Sequence, residues 1–228
     1  FKKPKFWDYK KPNFLSYLLL PFTFPLIINN FFLGLEKKKD STSKIKKICV
    51  GNIYVGGTGK TPLVIKINQI LNQLGYKTAV IKKFYKNHID EQKILAESTK
   101  LYCLKDRMTA LNAVIKDNNN IAIFDDGLQD QSINYDLKFV CFNNIRWIGN
   151  GLLIPAGPLR EKIESISKYD AVFINGNEAD TSNLKLLINK HNKNIKVFEA
   201  HYLPINTDLF DPDDKYIAFS GIGNPETF

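Results

Sequence analysis

Residues 51–62 read GNIYVGGTGKTP, a run whose residue types suit the binding of phosphate groups. Gly56, Gly57 and Gly59 carry no Cβ, so backbone N–H groups around them and Thr58 can converge on phosphate oxygens. Lys60 is long enough to reach the β- and γ-phosphates of a nucleotide, and the Thr61 hydroxyl is a ligand type for Mg²⁺. An apolar stretch, KICVGN (47–52), precedes the loop, and a helical pattern follows it. That order aims a helix N-terminus, with its partial positive charge, at the bound anion. Pro62 falls in the first helical turn, where its missing N–H matters little. The strict pattern GxxxxGK[ST] places glycine at position 54, where this chain has Tyr54. The shorter GGxGK[ST] form is intact, and a chance GKT in a glycine-rich turn is the alternative reading.

A second acidic element supports the first. IAIFDDGLQ (121–129) is an apolar strand ending in two carboxylates, and a strand-end aspartate beside a phosphate loop holds Mg²⁺ directly or through water. Strand alternation separates Asp125 from Asp126, so the two divide the work. Asp125 is the first choice for the metal, and Asp126 holds metal, water or a neighbouring basic group. A plain DDG turn is the competing explanation.

The elements needed to position these groups alternate along the chain. Strand patterns occur at 77–81, 121–124, 137–142, 171–175 and 195–200, and helical ones at 62–74, 90–97, 106–116 and 181–191. Gly75 is a helix stop. Such alternation specifies an α/β fold: a P-loop NTPase-like, mostly parallel sheet flanked by helices, with ligands at the carboxyl ends of its strands. Cys49, Cys103 and Cys141 each sit in an apolar run and read as buried strand thiols, with no metal spacing among them.

Charge is unevenly spread. Over residues 1–47, eleven lysines face Asp8, Glu36 and Asp40, which accounts for +8 of the net +9. The body is therefore nearly neutral, which argues against nucleic acid as a partner. Pro12 to Leu35 carries no charge, and lysines flank it on both sides. Its length would span a bilayer, but Pro21, Pro25, Asn29 and Asn30 interrupt it. A signal peptide fits poorly, for want of a small-residue cleavage site. An interfacial helix anchored by lysines on anionic lipid fits best, with packing on the core as the other possibility. Phe1 in place of Met, and a strand-like YIAFSG (216–221) just before the end at Phe228, suggest that both ends are cut.

Taken in order, several blocks resemble one family. They are the apolar N-terminal segment, VGNIYVGGTGKTP (50–62), the acidic pair at 90–91, Arg107, DDGLQ (125–129), GNGLLIPAGPLRE (149–161) and SGIGNP (220–225). Together they resemble the tetraacyldisaccharide 4′-kinases of lipid A biosynthesis over nearly the whole chain, and the block at 149–161 is the most specific. The resemblance implies transfer of the ATP γ-phosphate, with Mg²⁺, to the 4′-hydroxyl of an acylated disaccharide 1-phosphate, giving lipid IV-A. It places the enzyme at the cytoplasmic face of the inner membrane, as a peripheral or monotopic protein. The catalytic residues it implies are Asp90, matching the family's catalytic aspartate, together with Lys60 and Arg107. Gln129, Arg160 and Glu161 fall near the substrate. The chain departs from the family at Ile89, where glycine is usual, at Asp130, where histidine is usual, and at Lys82–Lys83–Phe84–Tyr85, where Ser-Arg-Gly-Tyr is usual. His88, His191 and His201 receive no role.

The expected organisation is an N-terminal membrane-associated segment (1–40), a kinase core (41–200), and a linker with the start of a second lobe (201–228). Two other functions compete: a membrane-recruited ATPase switch sharing GGxGKT, and an inactive truncated remnant. Val55, where the switch ATPases carry their signature lysine, argues against the first.

Overall fold

Residues 46–51 (β1), 121–125 (β4) and 137–143 (β5) carry Ile48, Val50, Ile121, Ile123, Phe124, Val140 and Phe142, all buried, on the two faces of a covered parallel sheet. The computed structural model describes residues 3–35, 44–86, 88–176, 180–203, 206–211 and 213–217. Adding β2 (78–83), β3 (101–104), β6 (171–175) and β7 (196–200) completes a seven-stranded sheet in the order β3-β2-β4-β1-β5-β6-β7. Every pairing is parallel. The chain leaves central β1 toward β2 and later crosses back to β5, so the loop after β1 lies at a topological switch point.

Two apolar layers cover the sheet. On one face Ile48, Val50, Ile121, Ile123 and Val80 pack under helix α3 (60–73), with Leu95 of α4 (89–98). On the other, Cys49, Phe124, Val140, Phe142 and Ile174 pack with Leu111 of α5 (107–116) and Leu184 of α6 (182–191). Alternation along β4 puts Asp125 on the α3 side, with Ile121 and Ile123. Asp106 caps α5 by accepting from the Thr109 N–H at 2.7 Å, and Gly75, in the left-handed region at φ 86°, ends α3. Strand β3 is a half-exposed edge. Cys103 is accordingly only partly buried, unlike the expected core thiol, while Cys49 and Cys141 are fully buried.

The N-terminal segment folds as two short helices, α1 (14–19) and α2 (24–35), joined by a 3-10 turn at Leu20–Thr23. Pro21 opens that turn, where a continuous helix would need its N–H. No helix among the described residues is long and apolar enough to cross a membrane. The segment is fastened to the loop 149–161. Trp7 is buried; its indole N–H donates to the Pro155 carbonyl at 2.9 Å, and its own carbonyl accepts from the Asn150 N–H at 3.0 Å. Asn150 also donates to Ser16 Oγ, and Asn30 donates to the Arg160 carbonyl, both at 3.0 Å. The Ile154–Pro155 bond is cis. Of the expected strand at 216–221, Tyr216 and Ile217 are not in a strand; the rest, with SGIGNP, lies outside the described residues.

Gly157 tests this fastening. A Cβ there would meet Asn150 Oδ1 at 2.1 Å and the Leu152 carbonyl oxygen at 2.5 Å. Gly157→Ala is expected to destabilise the protein by ~1–3 kcal/mol, the usual range for overpacking, seen as a lower thermal midpoint.

Candidate active site

The carboxyl ends of β1, β4 and β2 bring the chemistry together. After β1 the chain runs through Asn52 to Gly59, and Gly59 enters α3 with φ 76°. The Asn52 amide donates to the carbonyls of Tyr54 (2.6 Å) and Gly56 (3.2 Å), and Asn175, at the end of β6, donates to the Thr58 carbonyl at 2.6 Å. These bonds turn the loop's carbonyls inward and shape it around the first turn of α3, whose N–H groups have no intrahelical acceptors.

Tyr54 stands where the strict pattern has glycine, and the structure gives the reason. The loop does not turn at once after β1. It first pairs with the 149–161 loop: Val55 N–H donates to Pro158 O at 2.9 Å, and Arg160 N–H donates to Ile53 O at 2.7 Å. The Tyr54 ring is buried between them, and its hydroxyl donates to Asp8 and accepts from Lys3 at 2.8 Å. The glycine turn proper begins at Gly56, with φ 138°.

At the end of β4, Asp125 is fully buried. Its Oδ2 lies 2.5 Å from Lys82 Nζ and 3.4 Å from Thr61 Oγ1. Its Oδ1 is buried with no hydrogen-bond partner among the described residues. An unpartnered carboxylate oxygen beside the loop's threonine fits a Mg²⁺ ion. Such an ion takes one or two protein oxygens and fills the rest of its shell with phosphate and water. No cluster of three or more His, Cys, Asp or Glu that could hold a metal occurs among the described residues. Asp126, at φ 59°, turns away from Asp125 and pairs with Arg160 at 2.8 Å. Of the roles open to it, partner of a basic group is the one its contacts show.

Around Asp126 lies an open pocket of about 530 Å³, lined among others by Lys83, Tyr85, His88, Arg107, Gln129 and Arg160. Arg107 is buried at the start of α5; it donates to Asp130 at 3.1 Å and to the Asp126 carbonyl. Asp130 thus serves as the counter-charge of Arg107. Gln129 joins three parts of the site, donating to the Asn52 carbonyl (3.1 Å) and to Glu161 (2.8 Å) and accepting from Arg160 (3.3 Å). Tyr169 donates to the other Glu161 oxygen at 3.1 Å.

The structure thus gathers Lys60, Thr61, Asp125, Asp126, Arg107, Gln129, Arg160 and Glu161. It leaves Asp90 exposed in the first turn of α4 and off the pocket wall. Its neighbour Glu91 is the acid that reaches inward, 2.9 Å from Lys82 and 3.4 Å from His88. Lys82, Asn175, Lys83, Tyr85 and His88 were missed from the sequence. The carboxyl-end rule could have found Lys82, Lys83 and Asn175, since each is one of the last two residues of its strand. Nothing in the local pattern marked Tyr85 or His88.

Burial alone would raise the Asp126 carboxyl, but the charges of Lys60, Arg160 and Arg107 outweigh it and hold the group below the ordinary carboxylate range. A carboxyl depressed on folding adds stability above its unfolded value and loses it as pH falls through the folded one. The stability gap between the parent and Asp126→Asn is therefore expected to be widest above about pH 5 and to shrink below about pH 4. Thermal midpoints measured from pH 7 to pH 3 check this.

A family model for tetraacyldisaccharide-1-P 4′-kinase matches residues 15–101 and 89–228. The tetraacyldisaccharide 4′-kinase of Pelagibacter ubique is 54% identical over 227 residues, covering 100% of this chain and 72% of that protein. Those of Rickettsia canadensis and Vibrio campbellii are 34% and 31% identical, covering 99% and 98% of this chain and 72% of each relative. A crystal structure of LpxK from Aquifex aeolicus in complex with ATP superposes with a TM-score of 0.59 at 21% identity, over 91% of this chain and 86% of that one. That structural likeness speaks to the fold.

Proposed function

The chain belongs to the tetraacyldisaccharide 4′-kinase family, and from that premise we infer how its residues divide the work. The reaction is transfer of the ATP γ-phosphate to the 4′-hydroxyl of a tetraacyldisaccharide 1-phosphate, forming lipid IV-A in lipid A biosynthesis. The observation that carries the assignment is a shared rim. Asp125 lies 3.4 Å from the phosphate-loop Thr61 hydroxyl, and the next residue, Asp126, lines the open pocket. The nucleotide and the acceptor sugar therefore meet at the end of β4.

Gly56 to Thr61 cradle the phosphates, and Lys60 neutralises charge on the transferred group. Asp125 and Thr61 would hold Mg²⁺, which when bound would supply positive charge to the phosphate oxygens. Arg107 and Arg160 give the pocket its fixed positive charge, while Gln129 and Glu161 set the position of Arg160 and the wall. Asp90 receives the proton of the 4′-hydroxyl as its oxygen bonds to the γ-phosphorus and the bond to the leaving ADP oxygen breaks. Its exposure on α4 keeps it free of competing partners. The three-part division at residues 40 and 200 belongs to this proposal.

The protein docks on the inner membrane's cytoplasmic face through α1 and α2. Phe14, Tyr17, Leu18, Phe22, Phe24 and Phe32 are exposed there, Phe14 at 83%. Exposed aromatic and aliphatic side chains beside a lysine-rich flank suit insertion at a lipid headgroup boundary. The acceptor is itself embedded by its acyl chains, so docking brings the pocket to the sugar.

With γ-labelled ATP and acylated disaccharide 1-phosphate in detergent, Lys60→Ala is expected to slow label transfer by about 10²–10³-fold. Asp90→Asn should lower kcat with ATP binding retained; unchanged kcat would remove Asp90 from the proton-transfer role. Replacing Phe14, Leu18, Phe22 and Phe24 together by serine should abolish co-sedimentation with anionic vesicles and leave nucleotide binding intact. Persistent co-sedimentation would refute docking through this face.

A further inference from the structure

Lys82, next to last in strand β2, carries its charge inside the protein: its side chain is 6% exposed. Its ammonium sits 2.5 Å from Asp125 Oδ2 and 2.9 Å from Glu91 Oε2. It is the link between two carboxylates on different elements, one at the end of β4 facing the phosphate loop and one in the first turn of α4. We propose that Lys82 is a positioning residue for the transfer reaction, and that it does two things at once. It turns Asp125 so that the metal receives one free oxygen, and it fastens the acceptor-side helix α4 to the nucleotide-side carboxylate. The proposal rests on the reading of Asp125 and Thr61 as the holders of Mg²⁺.

The first role follows from the geometry of one carboxylate. Lys82 and the Thr61 hydroxyl both approach Oδ2, leaving Oδ1 without a partner. A buried carboxylate with one oxygen tied and one bare has a defined orientation, and the bare oxygen is the one open to a divalent cation. The second role follows from Glu91. It is exposed on one side and held by Lys82 on the other, so the ion pair sets where the first turn of α4 lies. Asp90 is the preceding residue of that turn. Anything that frees Glu91 lets Asp90 move relative to the loop.

The two roles have opposite consequences for the metal. Lys82 is already a cation on Asp125, so a Mg²⁺ ion arriving there shares the carboxylate and is repelled by the ammonium. Removing the lysine charge strengthens the hold on Mg²⁺ while unseating α4. Removing the charge of Glu91 does the reverse to the metal: Lys82 then rests on Asp125 alone, and Mg²⁺ is held more weakly. A side chain with only a packing role would not produce shifts of opposite sign.

The test uses the full chain in detergent and follows a fluorescent ATP analogue as Mg²⁺ is titrated, alongside thermal midpoints with and without Mg²⁺ and turnover at saturating Mg²⁺. Lys82→Met is expected to reach half-saturation at about tenfold less Mg²⁺ than the parent. Its midpoint should be low without metal and recover with Mg²⁺ and nucleotide, and its kcat should fall. Lys82→Arg should stay near the parent in Mg²⁺ demand. Glu91→Gln should need several-fold more Mg²⁺ and also lose kcat, which keeps the proposal testable even if Lys82→Met does not fold. The idea is overturned if Glu91→Gln needs no more Mg²⁺ than the parent, or if folded Lys82→Met needs as much or more. Asp125→Asn separates the underlying reading. If that variant keeps the parent's Mg²⁺ dependence, the metal assignment itself is wrong, whatever Lys82 does.

Discussion

A carboxylate with no access to water must find a counter-charge, and Asp125 is such a group at the centre of the sheet. Its partner Lys82 is also buried, and so must find its remaining hydrogen bonds inside the protein. It donates one of them to Glu91, in the first turn of α4. From this one requirement the site acquires its frame: β4 supplies the acid, β2 the base, α4 the second acid and α3 the threonine hydroxyl. Removing one partner of such a pair while leaving the other costs ~3–5 kcal/mol in comparable cases. The arrangement therefore holds its geometry before any nucleotide arrives.

A second frame is built on the opposite side of the phosphate loop. There the loop 149–161 is pinned between the core and the N-terminal segment. Gly149, at φ 57°, lets the chain pass so close to Trp7 that a Cβ would lie 2.1 Å from the Trp7 carbonyl oxygen. Ile53 and Val55 bond this loop through backbone groups, and Tyr54 reaches past it to Lys3 and Asp8. The same stretch ends in Arg160 and Glu161, which face the pocket network through Asp126 and Gln129. The apolar helices α1 and α2 are thus bonded directly to the 149–161 loop, through Ser16 and Asn30, and that loop in turn is bonded to the phosphate loop.

Much of this was legible in the chain itself, for a physical reason in each case. Alternating apolar runs and helical periodicities must bury their apolar faces, and only a covered parallel sheet accommodates that order. The placement of Lys60 and Thr61 at a helix start and of Asp125 at a strand end was legible because the apolar runs beside them mark those boundaries. Pro21 foretold the break between α1 and α2 because its ring cannot continue a helix. Cys103 misled because a four-residue apolar run looks the same whether its strand is central or at an edge.

Local pattern therefore determined the fold class, the glycine-rich loop at the start of α3 and the acid at the end of β4, since each is set by neighbours within a few residues along the chain. Tertiary structure alone decided which charges meet. Lys82 and Asp125 are 43 residues apart, Asp126 and Arg160 are 34 apart, and Lys3 and Tyr54 are 51 apart. No periodicity encodes such pairings. They arise because strand order brings β2 beside β4, and because the 149–161 loop folds back over the phosphate loop, where a buried charge has to take the partner that the topology places within reach.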